Sequence, residues 1–276
     1  MRNLLKPSIW LLSTMMLLCV TVAWAETVEY DGLIEPYKTV EIGAPAEGIV
    51  AKVNVDRGSL IKKGQRLVAL ESSVEWAAVQ KAKAMAKFDG EINLQQTRQK
   101  FAQRVHERIK QVGAISTHDK DQAATEIILT QHRLDKAREK RTLAELELKK
   151  AWLVLARRSI KSPINGVVVE RYVNPGEYVN TQPLLRVAQI DPLLVEVIVP
   201  AQMFGKINPD MTATIIPDLE EYGAHTATVI IVDRVIDSAS STFGVRLELP
   251  NHELKIPSGL KCLIRFEIDE NTDEVK

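Results

Sequence analysis

The residues able to do chemistry are few and scattered. The five histidines are His106, His118, His132, His225 and His252. None stands at the His-x-x-x-His spacing that would put two imidazoles on one helical face around a metal. Each reads instead as a polar side chain facing solvent. Met203 and Met211 stand apart and fill core rather than form a soft-metal site. Ser258, in Pro257-Ser258-Gly259, has neither a base nor a flanking elbow motif, so it reads as a turn residue and not a nucleophile. Two cysteines, Cys19 and Cys262, cannot build a disulfide framework. The 36 basic and 36 acidic residues cancel, which argues against a nucleic-acid partner. No catalytic, cofactor or metal constellation is expected, so function must come from shape and contact.

Shape begins with the punctuation of the chain. After Pro45 no proline occurs until Pro163, and between Ser73 and Arg157 the only glycines are Gly90 and Gly113. Such a stretch is helical if it is periodic, and it is. Ile127, Leu134, Ala137, Ala144, Leu148, Ala151 and Leu155 fall on 3-4 spacings, with Thr130 and Arg141 in the remaining slots. The first half offers Met85, Phe88, Ile92 and Gln95, then Ala102, Val105, Ile109 and Val112, with a phase slip near Arg98. Gly113 suits a left-handed C-cap, and Ser116 with Asp119 reads as a capping box opening a second helix. The spacing predicts an antiparallel hairpin with arms 73–112 and 117–157, each about 60 Å long at 1.5 Å per residue. An aromatic content of 5% fits helices rich in Ala, Lys, Gln and Leu.

Two matching segments flank the hairpin, 42–70 and 160–188. Identical pairs include Pro45/Pro163, Gly48/Gly166, Val50/Val168, Gly58/Gly176 and Leu67/Leu185, all at one fixed offset. Each copy has a Pro-x-x-Gly turn, alternating valines and a second turn ending in glycine, where Gly supplies positive φ. Two equal strand units can pack as a small two-fold sandwich.

A repeat split by a helical hairpin resembles the lipoyl/biotinyl-like domain of periplasmic adaptor proteins. These form the HlyD-like membrane fusion protein family, which serves tripartite efflux pumps of the resistance-nodulation-division type. The likeness covers nearly the whole chain after residue 25 and extends to Gly113-Ala114-Ile115-Ser116. It implies a non-enzymatic adaptor between an inner-membrane efflux transporter and an outer-membrane channel, with several copies side by side in a funnel. It also implies the periplasm of a Gram-negative bacterium, associated with the inner membrane through partners. The family's hairpin tip carries an Arg, a Leu four residues later and a Ser seven after that. Counting back from Ser116, the Leu slot is Ile109 and the Arg slot is Val105, with Arg104 and Arg108 out of register. The resemblance therefore assigns channel binding to Arg104, Val105, Arg108, Ile109, Ile115 and Ser116.

Residues 191–268 read as strands in Leu193–Val199, 211–216, 226–235, 243–249 and 260–268, with one or two helical turns at 201–207, after a break at Asp191-Pro192. A small antiparallel β-barrel is expected, similar to the barrel of the same family. Cys262 alternates with Leu260, Ile264 and Phe266 on its apolar face. The family's membrane-proximal domain, built from both termini, is expected to be absent or vestigial, leaving the barrel to dock the transporter. The fold class is thus α+β and multi-domain: a split lipoyl-like sandwich with an inserted coiled-coil hairpin, followed by a barrel. The expected boundaries are 26–41 N-terminal strand, 42–72 first half-motif, 73–157 hairpin, 158–190 second half-motif, 191–268 barrel and 269–276 acidic tail.

Ahead of all this, Arg2 and Lys6, an apolar run from Ile9 to Trp24 and Ala23-Trp24-Ala25 read as a signal peptide, 1–25, cleaved before Glu26. An uncleaved anchor is the alternative. The hairpin segment carries 17 Lys/Arg against 11 Asp/Glu, a net of +6, suited to orientation against an acidic channel mouth or a neighbouring copy. Three other readings stay open: an adaptor for a type I secretion or ABC-type exporter, a structural coiled-coil envelope protein, and a lipoyl or biotin carrier. The carrier needs an exposed Lys where the halves join; Glu71-Ser72-Ser73 and the helical insertion stand there instead.

Overall fold

The computed structural model describes residues 29–267. The signal segment with Cys19 and the acidic tail lie outside the described residues. The chain runs β1 (Glu29–Gly43), β2 (Gly48–Val53), β3 (Leu60–Ile61), β4 (Arg66–Leu70), α1 (Ser73–Ala86), α2 (Gly90–Gln111) and α3 (Thr117–Ala156). It continues through β5 (Ser159–Lys161), β6 (Gly166–Arg171), β7 (Tyr178–Val179), β8 (Pro183–Pro200), β9 (Thr212–Pro217), β10 (His225–Val232), β11 (Thr242–Leu249) and β12 (Lys261–Phe266).

The internal repeat is an interlocked two-fold. In the first half β2 pairs with β4, and in the second β6 pairs with β8. The short strands cross over: β3 pairs with β6, and β7 pairs with β2. Gly48↔Val179 and Gly166↔Ile61 are the same contact in the two halves. Each half therefore lends an edge strand to the other, and neither closes alone. Their shared core is Ile42, Val50, Leu67, Val68, Ile160, Val168, Val179, Leu185 and Val187, among others. The turn glycines behave as read, with Gly58 at φ 82° and Gly176 at φ 90°.

The barrel closes with six strands in the order β1, β12, β9, β10, β11, β8, because β1 and β8 also pair with each other. The alternation of Val195, Val197 and Val199 with outward residues puts every second side chain in a core with Ile215, Val229, Leu247, Leu249 and Ile264. Cys262 lies in that core, 1% exposed. Two expectations change here. Asp191-Pro192 does not break the chain, because β8 runs straight through it with a cis bond at that step. The break is replaced by a local loss of register between Pro36 and Lys38 on the partner strand. The barrel also takes a strand from the start of β1, Glu29–Leu33 against β12, and so is not built from the C-terminal segment alone. β1 and β8 thus span barrel and sandwich and hold them in line.

The hairpin departs more. The second arm is one 40-residue helix, and its seam is as read: Thr130, Leu134 and Ala137 are buried, while Ile127, Arg141, Ala144, Leu148, Ala151 and Leu155 are half-buried. The first arm is two helices separated by Lys87-Phe88-Asp89. Met85, Phe88 and Val112 are exposed; the seam of α1 is Val79, Ala82 and Ala86. The phase slip falls at that interruption, not near Arg98, since Ile92, Gln95, Gln99, Ala102 and Ile109 keep one face through α2. Its physical reason is visible. Asp89 precedes α2 but does not cap it with its side chain, because its carboxylate is ion-paired with Arg141. Arg141 occupies a seam slot that no apolar residue fills. Gly113 is not left-handed: α2 ends through Val112 in an extended conformation (φ −98°, ψ 113°), so no αL residue is needed. His106 and His225 are half-buried, not surface groups; the His225 ring lies 2.6 Å from the Tyr222 carbonyl oxygen. Among the described residues no helix is long and apolar enough to cross a membrane.

Candidate partner-binding site at the hairpin tip

The tip is built by the end of α2, the loop 112–116 and the start of α3. Ser116 opens α3 as its N-cap (φ −64°, ψ 152°). Its hydroxyl accepts the Asp119 N–H at 3.2 Å and donates to the Asp119 carboxylate at 2.7 Å. The reciprocal half of a capping box, in which the cap N–H donates to the carboxylate three residues on, is replaced by this hydroxyl contact because Asp is one carbon shorter than Glu. The tip turn is thereby fixed at its α3 side.

The six residues assigned from sequence divide into three settings. Val105 and Ile109 are half-buried on the seam facing α3. Arg104 and Arg108 are exposed on the outer face of α2 one turn apart, and the Arg108 Nε reaches the Arg104 carbonyl at 3.4 Å. Ile115 is half-buried in the apical loop, beside exposed Ser116. The seam therefore presents no charge at position 105; Arg104 stands about 100° and Arg108 about 60° around the helix from it. Neither Arg104 nor Arg108 takes part in an ion pair among the described residues, whereas Arg133, Arg138 and Arg141 on α3 are all paired with carboxylates. A groove of about 530 Å³ runs below the tip between α2 and α3, lined by Arg98, Phe101, Arg104, Val105, Glu126 and Arg133. Free guanidinium groups beside an exposed aromatic ring suit a carboxylate-bearing protein surface.

Sequence reasoning missed the opposite end. Arg158, just after α3, donates to Glu75 at 2.9 and 2.5 Å and to the Glu47 carbonyl at 2.5 Å. Arg157 donates to the Pro45 carbonyl. The Arg158–Glu75 pair is the least exposed ion pair among the described residues, with side chains 22% and 13% exposed. One arginine thus ties both helical arms to the first Pro-x-x-Gly turn. The signal was present as two consecutive arginines at the hairpin exit facing an acidic residue in the first turn of α1.

A split two-fold sandwich carrying a helical hairpin and continuing into a six-stranded barrel is the architecture of membrane fusion proteins. MacA from Actinobacillus actinomycetemcomitans superposes with a TM-score of 0.72 at 22% identity, over 87% of this chain and 78% of that one. The CzcB-like barrel-sandwich hybrid domain family matches residues 38–189, and the chain belongs to that family. Among relatives, the efflux pump periplasmic linker BepD of Brucella suis is 26% identical over 254 residues, covering 83% of this chain and 60% of BepD. The antibiotic efflux pump periplasmic linker protein ArpA of Pseudomonas putida is 27% identical over 272 residues, covering 92% of this chain and 66% of ArpA. The chain thus spans about 60% of the length of these relatives.

Proposed function

We propose that this protein is a non-enzymatic periplasmic adaptor that links an inner-membrane efflux transporter to an outer-membrane channel. The observation that carries the reading is the hairpin: a 40-residue α3, about 60 Å long, set rigidly on a sandwich and barrel that share two continuous strands. The relatives named as efflux pump periplasmic linkers support the same role. In this reading the barrel and sandwich sit at the transporter, the tip meets the channel, and several copies stand side by side as a funnel. Val105, Ile109 and Ile115 supply the apolar part of the channel contact, Ser116 its rim, and Arg104 and Arg108 its positive charge. The Arg158 clamp keeps the stalk from swinging at its base.

A cell-based export assay tests this. Ser116→Trp places an indole at the exposed rim without entering either β core, so folding and secretion persist while export falls at least tenfold. Unchanged export with Ser116→Trp at normal abundance would remove the tip from the mechanism.

A further inference from the structure

The end of the barrel farthest from the hairpin carries bare apolar side chains. β1 fixes the two ends. Its last residue, Gly43, leads into the turn whose Pro45 and Glu47 carbonyls accept from Arg157 and Arg158 at the hairpin base. Its first residue, Glu29, pairs with Arg265 at the opposite end. With 15 residues in β1, the two ends stand about 50 Å apart. Strand pairing carries the far level round the barrel, since Gly32 pairs with Val197 and Thr242 with Pro200. The loop joining β10 to β11, 233–241, and the turn after β8, 201–207, therefore form the far rim.

Four apolar side chains gather there. Val235 is 82% exposed, Ile198 69%, Phe204 46% and Ile236 40%. Ile198 is paired with Gly244, and the Asp233 N–H at the start of the loop donates to the Gly244 carbonyl at 2.9 Å. The Ala201 N–H donates to the Ser241 carbonyl at 2.9 Å, which joins turn to loop. Phe204 stands edge-on against buried Phe243. The loop is also held from within. The Asp237 N–H donates to the Thr242 carbonyl at 2.8 Å, and the Asp237 carboxylate accepts the Ala239 N–H at 2.8 Å. A fixed backbone thus presents Val235 and Ile236, so burying them costs little ordering entropy. Such a patch marks a protein or a membrane contact.

Two observations favour lipid. The chain ahead of Glu29, which includes the apolar run Ile9–Trp24, joins the described residues at this rim. Such a run takes the chain to the membrane whether it is cleaved or kept. The charges around the patch are also of both signs: Lys206 and Arg234 against Asp210 and Asp233, all exposed and none in an ion pair among the described residues. A zwitterionic headgroup layer offers a phosphate to each cation and an ammonium to each carboxylate, above acyl chains that take the apolar groups. We infer that the far rim of the barrel inserts Val235, Ile236, Phe204 and Ile198 directly into the headgroup–acyl boundary of the inner membrane. A protruding valine needs a moulded pocket in a protein partner, whereas fluid lipid closes round it. The inference rests on the adaptor reading only for the choice of membrane, because the rim lies opposite the hairpin tip.

The test uses the full-length chain with Cys19→Ser, Cys262→Ala and Val235→Cys, labelled at position 235 with the polarity-sensitive dye NBD. It is mixed with vesicles of phosphatidylethanolamine and phosphatidylglycerol. Emission is expected to rise roughly twofold or more, and lipids carrying a nitroxide on the upper acyl chain are expected to quench it by a similar factor. The same dye introduced through Leu60→Cys, exposed on the sandwich, is expected to show neither change. Adding Ile198→Asp and Ile236→Asp, both outside the barrel core, is expected to abolish the quenching at position 235 without unfolding the barrel. No quenching at position 235, equal quenching at position 60, or in-cell photo-crosslinks from position 235 to a membrane protein in place of lipid would overturn the inference. If position 235 is unquenched while Ile115 crosslinks to a channel, the adaptor reading stands and the lipid contact alone fails. Quenching with no channel adduct keeps the lipid contact and discards the bridge.

Discussion

Cys262 shows how one residue's setting decides its chemistry. Burial in the barrel core, with Asp218 and Asp31 adding negative potential, pushes its thiol up to about 12 from an ordinary 9.0. At pH 8 the thiol therefore stays protonated and unreactive. Alkylation by iodoacetamide at pH 8 is therefore expected only after denaturant is added; rapid labelling of the folded protein would contradict this. Because the folded state holds this proton more tightly than the unfolded one, its contribution is intact below pH 9 and is lost as pH rises towards 12. The glycines of the repeat make a second residue-scale case. A Cβ on Gly166 would lie 1.9 Å from the Ala188 carbonyl oxygen, a backbone atom in the crossed sheet. The matching Cβ on Gly48 would meet the Arg158 Nη1 at 2.6 Å, a side-chain atom that can shift at the cost of its bond to the Glu47 carbonyl. Gly166→Ala should cost about 3 kcal/mol or more and Gly48→Ala about 1 kcal/mol, measured as unfolding free energies in urea. Equal costs would mean that the two halves are locally interchangeable, which their contacts deny. The sequence made the repeat legible through these very residues, yet it treats the two glycines alike. What separates them, a sheet on one side and a side chain on the other, is tertiary.

At the scale of elements, the turns carry charge that stabilises them selectively with pH. The Arg57 backbone N–H, with Arg171 beside it, holds the Asp56 carboxyl below its ordinary value. Asn174 does the same for Glu177, and the Ser73 N–H for Glu71 at the start of α1. A carboxyl lowered in the folded state contributes above its unfolded pKa and loses that contribution as pH falls through the folded one. The thermal midpoint is therefore expected to fall as pH drops below about 4.5, with Glu71→Gln, Asp56→Asn and Glu177→Gln together flattening that fall; an unchanged pH profile in the triple variant would contradict the assignment. The second arm was fully legible in sequence because its 3-4 spacing is unbroken from Ile127 to Leu155. The first arm was not. Its interruption falls at Lys87-Phe88-Asp89, where Asp89 pairs with Arg141, 52 residues away, and periodicity within one arm holds no information about that partner. Gly113 misled for a related reason: glycine permits the left-handed cap but does not require it, and Val112 turned the chain first.

The whole molecule is a long helical hairpin on a base of two β cores that share strands. β1 and β8 pair through sandwich and barrel with two local register shifts, at Pro36/Lys38 and Ile42/Gly43, and so join the two cores. Arg158 then joins the sandwich to both helical arms. The family resemblance and the overall arrangement could be read from residues, since a repeat interrupted by a long proline-free segment has few other solutions. The seam positions of Val105 and Ile109 could be read as well, and both are half-buried. The unpaired charge of Arg104 and Arg108 could not, because it depends on which carboxylates the other arm supplies nearby. We propose that the hairpin tip meets an outer-membrane channel. In-cell photo-crosslinking from a probe at Ile115, followed by mass spectrometry of the adduct, tests it most directly. A channel protein is expected in the adduct, and is expected to be lost when Arg104 and Arg108 are both changed to Glu. Adducts only with the chain itself, or none while the protein is abundant in the periplasm, would contradict the bridging role.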